Sequence, residues 1–222
     1  MKFVQERHIV PAVWPVDLNT ADNPGDYVSL KNYGHCTVDI SIGVTTGTSV
    51  VTLVQATTVA GTGAKALAFT KAWMTGAKLK INTKTGNFTV GETVTGAGGA
   101  SGVVYKDNGD HLLLYTVNAT AFVNAETVTG GTSGITAKAD GIGIDADMLL
   151  PFVVASNTFT IPAVSNRKYV IEVDACELDS ANEYDCMMLD LADASNGCIG
   201  SANYILSLPR YTAEPMPTAI YD

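Results

Sequence analysis

Between His35 and Val44 the chain alternates without a break: Cys36, Val38, Ile40, Ile42 and Val44 are apolar, while His35, Thr37, Asp39, Ser41 and Gly43 are polar or small. A period of two sustained for ten residues belongs to a strand with one face buried and the other wetted, since helices bury residues spaced by three and four. The pattern returns at Tyr169, Ile171 and Val173, which alternate with Val170, Glu172 and Asp174, and at Met187, Leu189 and Leu191. Shorter strand-like runs lie at 27–30, 50–54, 149–155, 158–161 and 204–208. Leu67, Phe69 and Trp73 form a further apolar row facing away from Ala66, Ala68, Thr70 and Ala72. Only 16% of residues are charged, and Thr, Ala, Gly, Val and Asn fill the difference, a strand-and-turn vocabulary. An apolar share of 46% supplies a core. The expected class is all-β, with 178–184 as the one short helix candidate.

An internal repeat divides this β-chain. FTVGETVTG from Phe88 and FVNAETVTG from Phe122 match at six of nine positions, offset by 34 residues, and each leads into a small-residue tail ending in Ser-Gly. Between them, Asn108-Gly109 separates two strand-like runs and predicts a hairpin with a type I′ turn. Residues 76–140 hold five basic and five acidic residues, so the whole net charge of -9 lies outside them. Two repeats are too few for a solenoid. Phe88 and Phe122 are expected at equivalent core positions, with Glu92 and Glu126 at equivalent turns.

The flanks carry roughly eight strands, and neither flank alone has enough to cover its apolar faces. The expected architecture is an antiparallel β-sandwich from residues 1–75 plus 146–222. A small β-module, barrel-like or hairpin-rich, is inserted at 76–145, with repeats over 88–104 and 122–137.

Chemical motifs are sparse. His8, His35 and His111 lie on separate elements without a metal-ligand spacing, and no GxSxG elbow occurs. Gly61-Thr-Gly63-Ala-Lys65 lacks the spacing and hydroxyl of a phosphate loop. Cys36, Cys176, Cys186 and Cys198 form no CxxC and read as reduced thiols, with two disulfides left open. Asn87-Phe-Thr89 and Asn118-Ala-Thr120 match the glycosylation triplet and read as strand and turn residues. The run 172–193 holds eight acids and no base, which reads first as a solvated acidic loop. Asp174, Glu177, Asp179 and Asp185 leave calcium open as an alternative. The charged N-terminus and the lack of a long apolar run exclude a signal peptide or spanning helix from this reading. Net acidity argues against direct nucleic-acid binding. The expectation is a non-enzyme with no cofactor and no metal.

Both termini are apolar and marked by proline. Ile9, Val13 and Trp14 near the start, and Tyr211, Met216, Ile220 and Tyr221 near the end, are the candidate contact residues for a capsid or for a second subunit. GDYVSLKNYGHCTVDISIG from Gly25, VVTLVQATTVAGTGAKALAFTKAW ending at Trp73, KYVIEVDACELD from Lys168 and ILSLPRYTAEPMPTAI from Ile205 resemble small virion structural proteins of tailed bacteriophages, commonly encoded among head genes. The resemblance spans most of the outer sandwich; the GETVTG repeat looks like one found in several phage structural proteins. It implies a head decoration or cement subunit on the capsid exterior, made in the host bacterial cytoplasm. Its partners would be the major capsid protein and itself, as a homo-oligomer with a trimer as first choice. A neck or tail component is the alternative. A carbohydrate-binding module with Tyr105 and Tyr115 as stacking platform is the second alternative.

Overall fold

The computed structural model describes residues 6–115, 118, 120–154, 156–211 and 218–220, with backbone alone for 142–147. The chain is all-β. In order the strands are β1 (His8–Asp17), β2 (Asn23–Pro24), β3 (Val28–Ser29), β4 (Tyr33–Thr45), β5 (Ser49–Ala56), β6 (Lys65–Ala66), β7 (Ala72–Asn82) and β8 (Thr93–Gly96). They continue as β9 (Ser101–Asp107), β10 (His111–Tyr115), β11 (Thr127–Gly130), β12 (Thr136–Phe152), β13 (Thr158–Ile161), β14 (Arg167–Asp174), β15 (Cys186–Leu191) and β16 (Cys198–Pro209). Within the short helix candidate 178–184 lies one 3-10 turn, Ser180–Asn182, and another, Ala175–Glu177, precedes it. Two compact units result: one from 1–73, 151–161 and 168–222, the other from 74–150 and 162–167.

The first unit is a β-sandwich. One sheet runs β1-β16-β4-β14, the other β13-β5-β15-β2, with β3 added to β15 and β6 to β5. Along both paths a strand from before residue 74 alternates with one from after residue 150. Neither flank forms these sheets alone, because every strand along the two paths finds its neighbours in the other flank; among the described residues only the short β6 joins a strand of its own flank, β5. Val38, Ile40, Tyr204 and Leu206 on one sheet and Val51, Leu53, Leu189 and Leu191 on the other are fully buried. Phe69, Phe152, Phe159 and Tyr169 form an aromatic cluster with ring centroids 5.1–6.5 Å apart.

Alternation in β4 fails at its end. Thr45 pairs with Cys198 and Ile42 with Gly200, so β4 carries one residue more than β16 across this interval. The bulge turns Val44 outward and Thr45 inward. Val44 is therefore not a core residue.

In the second unit the ladder order β7-β10-β9-β8-β11-β12 is closed by a pairing of β12 with β7, giving a six-stranded ring with no free edge. Leu79, Val94, Val104, Leu112, Leu114 and Val128 fill it. Phe88 and Phe122 are both buried in this core.

The two repeats are related by an internal two-fold. β8 and β11 pair antiparallel with Val94 opposite Gly130, Thr95 opposite Thr129 and Gly96 opposite Val128, a register that the 34-residue offset maps onto itself. Each repeat glutamate binds its own turn and then the other repeat. Glu92 Oε1 accepts Thr89 N–H at 2.6 Å, and its Oε2 accepts Thr132 N–H at 3.0 Å and Ser133 N–H at 2.9 Å. Glu126 Oε1 accepts Val123 N–H at 2.6 Å, and its Oε2 accepts Gly98 N–H at 3.3 Å. The terminal glycine of each ETVTG follows from this exchange: a Cβ on Gly96 would stand 2.6 Å from Glu126 Oε2, and one on Gly130 would stand 2.7 Å from Glu92 Oε2.

The central hairpin forms, but not on a type I′ turn. Asp107 stands opposite Leu112 and Asn108 N–H donates to His111 O at 3.0 Å, so the loop is Gly109-Asp110, and of the two only Gly109 takes a positive φ, 94°. A type I′ turn needs a positive φ at both central residues, whereas type II′ needs it only at the first, which is glycine here.

Candidate functional site

β1 is an edge of its sheet and runs on β16 from His8 opposite Leu206 to Asp17 opposite Ile199. Two register shifts, between Pro11 and Val13 and between Val13 and Val16, break its alternation. Their effect is to bury Val10, Ala12 and Val13 together while leaving Ile9 50% and Trp14 74% exposed. Trp14 is the most exposed aromatic side chain among the described residues, and its cost in water is large because an indole buries more apolar area than most side chains.

Beside it, β1 and the segment 22–26 enclose a groove of about 410 Å³. Pro11, Val13, Val16 and Pro24 give it an apolar lining, and Trp14, Asp22 and Asp26 add an aromatic face and two carboxylates. Gly25 makes the close approach possible: its N–H donates to Leu189 O at 2.7 Å, and a Cβ there would meet Ala12 O at 2.9 Å and the Tyr204 hydroxyl at 3.0 Å. Tyr204 sits behind this wall, its hydroxyl accepting Leu189 N–H at 2.7 Å; burial above all pushes its pKa upward. Asp22 Oδ1 accepts Asp193 N–H at 2.9 Å, whereas Asp26 is exposed and engages no side-chain partner among the described residues. On β15, opposite Pro24, Asp190 holds a buried Oδ1 with no hydrogen-bond partner among the described residues. Burial, reinforced by the charge of Asp22, raises the Asp190 pKa.

The contact residues expected from the sequence separate accordingly. Ile9 and Trp14 lie exposed on β1, and Tyr211 is 69% exposed just past β16. Val13 is corrected to a core residue, turned inward by the bulges. Ile220 is 38% exposed, but its neighbour Ala219 is buried and accepts Ser29 N–H at 2.7 Å, so this end returns to its own sandwich. Met216 and Tyr221 lie outside the described residues. The N-terminal segment is an integral strand rather than a free arm. No signal in the sequence marked Asp22, Gly25 and Asp26, since the groove depends on register shifts and on chain approach.

Acidic residues of the 172–193 run are largely engaged. Lys65 pairs with Asp179 and Lys71 with Asp174; Glu177 Oε2 accepts Asp174 N–H at 2.7 Å; Asp185 Oδ1 accepts the Cys186 thiol. Among the described residues no group of three His, Cys, Asp or Glu is placed to hold a metal ion. All four cysteines are free, three of them buried, and burial drives the Cys36 pKa far up.

One constellation resembles a catalytic relay. On the outward face of β4, β14 and β16, Ser207 Oγ lies 3.2 Å from His35 Nδ1, and His35 Nε2 lies 2.6 Å from Glu172 Oε2. Ser207 stands opposite His35 in the β16–β4 ladder, so the contact between them follows from cross-strand register. The trio reads as a cross-strand polar ladder, continued by Lys168 to Asp39 at 2.6 Å.

Comparison with known proteins adds no family. No protein-family model matches the chain, and no curated protein matches it. A solved chain from "Structure of infectious bursal disease virus Gx strain" aligns over 92% of this chain and 40% of its own length, at 7% identity and a TM-score of 0.09, a level that carries no argument. Among the described residues no helix is long and apolar enough to cross a membrane.

Proposed function

We propose that this chain is a non-enzymatic structural subunit of a tailed-phage virion that attaches to the capsid exterior through the β1 edge and its groove. The observation that carries the reading is Trp14, held 74% exposed on a rigid edge strand beside a preformed groove. A large aromatic fixed on a strand loses little conformational freedom when covered, which is what makes such residues dominate binding energies. The resemblance of the outer sandwich to phage head proteins supports the same placement. Ile9 extends the apolar row along β1, so a footprint centred on this strand buries both. Repetition of a modest footprint over many lattice sites fits a cement role, and self-association as a trimer fits the closed symmetry of such subunits.

The test is saturable binding to purified capsids of the parent phage. Trp14→Ala should weaken occupancy by roughly 30-fold, about 2 kcal/mol, while the melting temperature stays unchanged. Immunogold localisation inside the tail tube or at the portal, or unchanged occupancy by Trp14→Ala, overturns the decoration reading; a copy number of 3, 6 or 12 per virion supports the neck or tail alternative.

A further inference from the structure

We infer that the groove beside β1 is a receptor for an arginine side chain presented by an exposed segment of the partner protein, with Trp14 stacking on the guanidinium and Asp22 and Asp26 accepting its N–H groups. That the partner is the capsid shell rests on the reading above; the groove's preference for a guanidinium does not.

Charge complementarity carries the choice. The lining contains two aspartates and neither lysine nor arginine. Three acids of this unit are paired with lysines, Asp174 with Lys71, Asp179 with Lys65 and Asp39 with Lys168, whereas among the described residues neither groove aspartate is. Asp26 has no such partner among the described residues, and Asp190, half-buried opposite Pro24 and coupled to Asp22, adds to the acidity there. A neutral sugar would stack on Trp14 but leave this charge uncompensated. A lysine would meet the charge but present no flat face to the indole. Guanidinium does both: its plane stacks on an aromatic ring while its edge donates to carboxylates in a fixed fork. The apolar lining of Pro11, Val16 and Pro24 suits the methylene stem that follows such a head group. About 410 Å³ is a volume in the range that encloses a long side chain with its flanking backbone.

The probe is the blocked tripeptide acetyl-Gly-Arg-Gly-amide, with its citrulline counterpart and maltotriose as controls, titrated into the full-length labelled protein. The readout is the Trp14 indole N–H resonance, assigned with Trp14→Phe. Saturable shifts are expected with the arginine peptide at millimolar concentration, with affinity falling about tenfold on replacing arginine by the uncharged citrulline, and about tenfold in Asp26→Asn. Asp26→Asn should keep the wild-type melting temperature, since that carboxylate is exposed. Equal response to citrulline, a response to maltotriose alone, or no shift up to about 10 mM peptide overturns the inference. The capsid assay separates the two claims. Asp26→Asn that loses the peptide yet fully occupies capsids overturns the groove as the capsid anchor and leaves attachment through Ile9 and Trp14 of the β1 edge standing. A peptide response by a protein that never occupies capsids supports the arginine site and overturns the reading it was joined to.

Discussion

Ala125 stands at φ 67°, at the position in the second repeat that Gly91 holds at φ 86° in the first. A Cβ at Gly91 would meet nothing within 4 Å, so the two sites differ in backbone preference rather than in packing. A left-handed alanine costs roughly 1–2 kcal/mol, partly offset by the lower unfolded-state entropy of alanine. Ala125→Gly should therefore stabilise the barrel by about 0.5–1 kcal/mol, and Gly91→Ala should destabilise it by a similar amount, both read from urea denaturation. Asp190 offers a test of opposite kind. Its pKa is raised in the fold, so the folded state binds its proton more readily than the unfolded chain, and this residue makes stability rise as pH falls from neutral toward the ordinary carboxylate range. Asp190→Asn should raise the melting temperature at pH 7 by roughly 2–4 °C, an advantage that shrinks toward pH 4. Loss of the pH dependence without any gain at pH 7 would show that the buried oxygen is satisfied in solution.

At the scale of the element, the repeat glutamates explain why both repeats carry ETVTG as a unit. Burial pushes the Glu92 pKa up, but the Ser133, Thr89 and Thr132 N–H groups and the Ser133 hydroxyl outweigh it, so the carboxyl sits below its ordinary value of 4.5. A depressed acid contributes stability that is present above the unfolded value and lost as pH falls through the folded one. The barrel should thus weaken as pH falls below about 5, and Glu92→Gln should remove part of that slope at a cost of about 2–3 kcal/mol at pH 7, measured by denaturation across pH. Glu126→Gln should cost less, since that side chain is half-exposed and accepts two backbone bonds. The sequence made this symmetry legible, because identical ETVTG pentapeptides share local preferences and their glutamates and terminal glycines recur in step. Strand periodicity and the two-flank sandwich were legible for the same reason. What escaped were the bulges: Val13 and Val44 continue an apolar pattern on paper, but one extra residue against the partner strand reverses the facing of everything beyond it. The groove escaped with them, as Asp22, Gly25 and Asp26 come together through tertiary approach and carry no local pattern.

For the whole molecule, the order of strands dictates an order of events. Along both sheet paths of the sandwich a strand from before residue 74 alternates with one from after residue 150, so its ladders must close a loop that contains the entire barrel sequence. The barrel is built instead from neighbours: β8 with β9, β9 with β10 and β11 with β12 are hairpins of short separation. Closing a long loop is entropically dearer than closing a hairpin, and non-local pairing is slow. Replacing residues 76–145 by a short Gly-Ser linker should consequently leave a sandwich that unfolds cooperatively, and should quicken its folding by about tenfold, since a several-fold shorter loop recovers roughly 1–2 kcal/mol of closure entropy. In the intact chain, pulse-labelling hydrogen exchange during refolding should protect amides of Val94, Val104 and Leu112 before those of Val38, Ile171 and Leu189. Simultaneous protection of both sets would mean that the barrel cannot form without the sandwich. Earlier protection of the sandwich would overturn the argument outright, because it would require the long loop to close before the local strands within it had paired.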